Sequence, residues 1–147
     1  MGRRRQPQKS KKSAHAHYLR ATELERDDAR AARAGYESCL AGDYRHLEAR
    51  INLGRLLHLE GLLREAEAIY RGTDEPSAIL YFNLGILLED LQRDSDAIAD
   101  YRVAIVHDPA MADAHFNLSL LHERAGEAQA SFRHLLAYRR LAEQFGS

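Results

Sequence analysis

Cysteine occurs once, at Cys39, so an internal disulfide is excluded and a reducing compartment fits the chain. At that helical position a buried small residue is the expected role. No apolar run approaches the roughly 20 residues of a membrane span. The basic opening, Met1 to Lys12, is followed by no hydrophobic stretch and so is not a secretory signal, and Gln6 departs from the myristoylation pattern. The expected location is the cytoplasm, with no membrane contact. There is no HExxH, glycine-rich phosphate loop, nucleophile elbow or CxxC pair. Adjacent acids such as Asp27-Asp28 and Glu89-Asp90 splay apart on a helix instead of converging, which reads as a cap or a solvated face. The eight histidines offer a metal only His15-x-His17, at a ragged helix start, and the one-face pair His115 and His122, which reads as interhelical packing. No catalytic residue, cofactor or metal site is expected, and the chain is not expected to be an enzyme.

Charge is scarce only in the sum. The formal net charge is −1, yet residues 1–12 carry Arg3, Arg4, Arg5, Lys9, Lys11 and Lys12 with no acid, leaving −7 on the remainder. A flexible solvated tail over residues 1–13 is the expectation. The alternative is that these six cations touch nucleic acid.

What the chain does have is periodicity. From Ala78, apolar or small residues at Ala78, Tyr81, Leu84, Gly85 and Leu88 mark one helical face, and Ala97, Tyr101, Ala104 and Ile105 mark a second. Between them Gln92-Arg93-Asp94-Ser95-Asp96 has no apolar residue, and Asp94 or Ser95 is placed to cap the second helix. The short turn implies antiparallel helices, and Asp108-Pro109 closes the unit. Asn83-Leu84-Gly85 recurs 34 residues later as Asn117-Leu118-Ser119 and 31 residues earlier as Asn52-Leu53-Gly54. Gly61 and Gly126 answer to Gln92. The length of 147 residues and 45% apolar content suffice for one folded domain.

With Tyr81, Leu84-Gly85, Ala97, Tyr101, Ala104 and Pro109, the middle copy resembles a bacterial-type tetratricopeptide repeat, whose period is about 34. The resemblance implies an all-α fold, an α-α superhelix, a right-handed solenoid of antiparallel helix pairs. The domain is expected over residues 14–147: a degenerate repeat at 14–46, then repeats at 47–77, 78–111 and 112–147. The last has an extended helix that serves as its own cap. The first clear copy departs from the pattern twice, with Arg50 at the aromatic position and three residues missing after Tyr70. Stacking is therefore expected to be imperfect around Gly72 to Pro76. Small residues Gly54, Gly85 and Ser119, with Ala66, Ala97 and Ser131, leave room for large neighbours at helix crossings.

In such solenoids the first helices line a concave groove. Asn52, Asn83 and Asn117 form a candidate ladder, since a carboxamide matches both the donor and the acceptor of a peptide group. Asparagines here contact ligand backbone in peptide-binding members of the family, and the resemblance carries that role to these three. Glu48, Arg55, Phe82, Glu89, Asp113, Phe116 and Arg124 complete the expected lining. Its acidity favours a neutral or basic protein segment. An acidic chaperone C-terminus is disfavoured, because Asp113 and Asn117 stand where the family's carboxylate clamp has Lys and Arg. A protein-interaction scaffold is thus the leading expectation. The ending His134-Leu135-Leu136-Ala137-Tyr138-Arg139-Arg140-Leu141 also looks like repeat arrays of MerR-type regulators, so a regulatory module acting beside nucleic acid is the alternative. A homo-oligomer joined through solenoid ends is the third.

Overall fold

The computed structural model describes residues 8–146, and among them it holds eight helices and no strand. These are α1 (Gln8–Leu24), α2 (Ala29–Gly42), α3 (Leu47–Leu59), α4 (Leu63–Arg71), α5 (Ala78–Asp90), α6 (Asp94–His107), α7 (Ala112–Arg124) and α8 (Ala128–Phe145). They divide into two compact units that meet in the sequence between Glu75 and Pro76, inside the stretch where stacking was expected to be imperfect.

In the first unit α1 starts at Gln8, ahead of the expected boundary at residues 13 and 14. Small residues explain the extra length. Ser10 donates to the Gly42 carbonyl at 3.0 Å, and Ala14 and Ala21, both buried, lie against the glycines of α2. A Cβ on Gly35 would come within 2.8 Å of that of Ala21. Asp28 caps α2 by accepting from the Ala31 amide at 3.0 Å, and the His46 ring caps α3 by accepting from the Ala49 amide at 3.2 Å. Cys39 is buried in α2, where burial first, and then Asp43 and Glu48, push its thiol up to about 11. It packs; it is not a reactive thiolate at neutral pH.

The two departures of the first clear repeat prove to be one structural feature. With three residues lost, α4 stops at Arg71, and Arg50 occupies the space beside its end. The buried guanidinium donates to the Ile69 carbonyl at 3.0 Å and to the Tyr44 carbonyl at 2.6 Å, with Gly72 against its face. Arg50 thus replaces a missing helical turn as the partner of a C-terminal carbonyl. Burial in that setting lowers its pKa.

In the second unit Ser77 caps α5 by accepting from the Leu80 amide at 3.2 Å. Neither Asp94 nor Ser95 caps α6, in contrast to the expectation. The N-cap is Arg93, whose side chain makes no capping bond, and Asp94 is already helical and turned toward Arg124. The expected equivalence of Gly61, Gln92 and Gly126 is visible in the backbone, since all three have positive φ, at 80°, 57° and 76°. Leu88, Ala97, Tyr101, Leu118 and Leu121 form the buried cluster at the crossing of α5, α6 and α7. The glycines carry out the expected volume matching: a Cβ on Gly54 or Gly85 would lie 2.6 Å from Cζ of Tyr70 or Tyr101. Ser119 escapes this constraint because the third copy has Leu135 in place of the tyrosine. The extended α8 does not present the polar outer face of a self-cap, because Phe132, Leu135 and Phe145 on it are exposed.

Candidate functional site

The polar groups of the first unit converge where α3 meets the α1–α2 pair. The Tyr36 hydroxyl donates to Glu25 Oε1 at 2.6 Å, and Asn52 Nδ2 donates to the same hydroxyl at 3.2 Å. One Arg55 nitrogen reaches Glu25 Oε1 at 2.6 Å and Oε2 at 2.7 Å. The second unit repeats the arrangement where α7 meets α5–α6. The Tyr101 hydroxyl donates to Glu89, Asn117 Nδ2 donates to Tyr101 at 3.2 Å, and Arg124 reaches Glu89 Oε1 at 3.2 Å and Asp94 Oδ2 at 3.3 Å.

The chemistry of this tetrad fixes the orientation of its asparagine. An ionised carboxylate only accepts, so the tyrosine must spend its single proton on the glutamate. Its oxygen is then an acceptor, and only the amide side of the carboxamide can face it. Both phenols are held above their ordinary pKa, by burial first and by the glutamate bond second, which keeps them donors at neutral pH. Among the described residues Oδ1 and the second N–H of Asn52 and Asn117 are uncommitted, one acceptor and one donor apiece.

The other expected site residues are distributed as follows. Arg55, Glu89 and Arg124 belong to the tetrads, so they position asparagines instead of standing free in a lining. Asn83 lies half-buried on α5. Phe82, expected in the lining, is also half-buried, its ring 5.8 Å from that of Tyr101 and packed on the core cluster. Phe116 is exposed, with its ring 5.0 Å from that of Tyr138. Glu48 and Asp113 are exposed, and Glu89, Asp90, Gln92, Asp94 and Arg124 line a shallow, net acidic depression. Of the basic stretch, Arg3, Arg4 and Arg5 lie outside the described residues, as does the side chain of Lys9; Lys11 and Lys12 are exposed on α1.

The histidines gather in two groups. His15 Nδ1 is 2.9 Å from His46 Nε2, with Tyr18 stacked beside them, and His17 is exposed. His115 Nδ1 is 3.1 Å from His134 Nδ1, and the buried His122 ring stacks parallel to that of His134 at 5.5 Å. Among the described residues no three metal-ligating side chains converge on one position. Glu25, Tyr36, Asp94 and His134 went unnoticed as partners in the sequence. A usable signal existed, since asparagine follows tyrosine by 16 residues in both tetrads, whereas from Tyr70 to Asn83 the lost residues reduce the spacing to 13.

No protein-family model and no curated protein matches the sequence. Solved structures do share its fold. A MamA structure from Desulfovibrio magneticus RS-1 superposes with a TM-score of 0.78 at 17% identity, over 91% of this chain and 78% of that one. Pseudomonas aeruginosa pilF gives 0.81 at 18% identity, over 90% and 69%. A tetratricopeptide repeat protein from Parabacteroides merdae gives 0.79 at 16%, over 90% and 54%. The fold is therefore the all-α tetratricopeptide type that the repeats imply. No described helix is long and apolar enough to cross a membrane.

Proposed function

We propose that the chain is a non-enzymatic, cytoplasmic protein-interaction module that holds an extended segment of a partner protein through carboxamides. Asn52 serves in the first unit, and Asn83 and Asn117 serve in the second. The observation that carries this reading is the repeated tetrad. Two buried tyrosines and two arginine-braced glutamates hold two asparagines with one donor and one acceptor uncommitted on each, the pair of groups that a peptide unit requires. A network of this kind also lowers the entropy lost on binding, because the carboxamide is oriented beforehand. The exposed acids Glu48 and Asp113, with the depression around Glu89, Asp90 and Asp94, favour a neutral or basic segment.

The test is capture of partners from lysate by the native chain, by an Asn52, Asn83 and Asn117 triple-alanine variant, and by Tyr101→Phe. The last variant breaks one tetrad but keeps every carboxamide. Loss of partners by the triple variant and weakened capture by Tyr101→Phe, with all three proteins helical by circular dichroism, is the expected result. Identical partner sets for the native and triple-alanine chains would remove the carboxamides from the binding site.

A further inference from the structure

The seam between the α5–α6 pair and α7 is a template for a second, separate surface. Phe82 and Ile86 of α5 and Ile98 of α6 lie half-buried against a core cluster to which α7 contributes Leu118 and Leu121, and Glu89 receives Arg124 from α7. A shift of 34 positions carries α5 onto α7 and α6 onto the first part of α8. It turns those four residues into Phe116, Leu120, Phe132 and Glu123. The three apolar ones are bare, at 38%, 39% and 59% exposure, and beside them Leu135, at 38%, stands where the earlier pair has its buried Tyr101. Exposed apolar side chains gathered on one helix pair, at positions that the preceding pair covers, are a feature of interaction surfaces.

The electrostatics point the same way. Glu25 is met by Arg55 of α3, the first helix of the next pair, and Glu89 by Arg124 of α7. Glu123 occupies the equivalent position, is exposed, and has no ion-pair partner among the described residues. Arg139, also exposed, replaces the half-buried Ile105 of the earlier pair.

We propose that the face of α7 and α8 built from Phe116, Leu120, Phe132, Leu135 and Glu123 docks one amphipathic helix of a partner protein. Its apolar stripe resembles that of α7, with leucines three apart followed by an arginine that meets Glu123, and it carries an acid opposite Arg139. This surface is distinct from the carboxamide site and takes a helix instead of an extended segment.

The probe is a helix-stabilised peptide with the α7 sequence, Ala112 to Arg124, titrated against the full chain by fluorescence anisotropy. Saturable binding is expected. Glu123→Arg should weaken it roughly tenfold, a charge-pair effect, and a peptide with its arginine changed to glutamate should bind Glu123→Arg better than the native chain. Phe132→Asp should abolish binding, and Asn52→Ala should leave it unchanged, which separates this surface from the carboxamide site. All three substitutions should preserve the helical circular dichroism spectrum. Absence of saturable binding, or equal affinity for the native chain and Glu123→Arg, overturns the proposal. So does a native sedimentation coefficient that rises with concentration and stops rising in Phe132→Asp, since the occupant would then be a second copy.

Discussion

Replacing Gly85 by alanine pits helix propensity against packing, and the two predict opposite signs. In an exposed helix interior the change stabilises by about 1 kcal/mol, because glycine loses more backbone entropy on folding. At Gly85 the new Cβ would lie 2.5 Å from Tyr101 Cδ1 and 2.6 Å from Cζ. The ring has nowhere to go: Tyr101 is fully buried and its hydroxyl is held by Glu89 and Asn117. Overpacking costs about 1–3 kcal/mol. Displacing the ring also weakens two hydrogen bonds of about 1 kcal/mol each. The net expectation is a loss of about 2 kcal/mol. It is read as a lower urea midpoint at unchanged slope in unfolding followed by circular dichroism. The double variant Gly85→Ser with Tyr101→Leu imports the pairing that the third copy uses, Ser119 with Leu135, and should recover the packing part of that loss. A Gly85→Ala protein more stable than the native one would refute the argument, because it would show that the helices do not need the glycine to approach.

Two further expectations concern buried charge. His134 is held down at about 4, by burial first and then by His115 and His122 of α7, Arg102 of α6 and Arg133 of α8. Because the unfolded value is 6.5, the unfolded chain binds more protons between these limits. Stability should therefore be complete above about pH 6.5 and decline toward pH 4, by about 2 kcal/mol after allowance for partial exposure. Urea midpoints across that range should fall less steeply for His134→Gln. Arg50→Leu should destabilise the first unit by about 2 kcal/mol, since the Ile69 and Tyr44 carbonyls lose charged donors; an unchanged thermal midpoint would mean that an apolar side chain fills the gap equally well.

Much of the fold was legible because it rests on local chemistry. The 3.6-residue spacing of Tyr81, Leu84 and Leu88 marks a helix wherever that helix packs, and Gly61, Gln92 and Gly126 mark turns through their own backbone angle. Less local features were misjudged. Asp94 reads as a cap from sequence, yet in the structure it faces Arg124, 30 residues away. Phe82 reads as a groove aromatic, yet it packs on the cluster around Tyr101. The early start of α1 depends on how Ser10, Ala14 and Ala21 fit the glycines of α2, which no property of α1 alone reveals.

The sequence by itself determined the helices, their pairing and the positions that had to stay small, because propensity, capping and side-chain volume belong to single residues and near neighbours. Only the tertiary structure decided which polar groups meet. The asparagines could be counted in advance, but the tyrosine and glutamate that orient two of them lie outside the asparagine's own helix, and a hydrogen bond across a crossing depends on its distance and on side-chain direction. The same holds for the open face of α7 and α8: its residues are ordinary repeat residues, and what distinguishes them is the absence, among the described residues, of the helix that covers their counterparts.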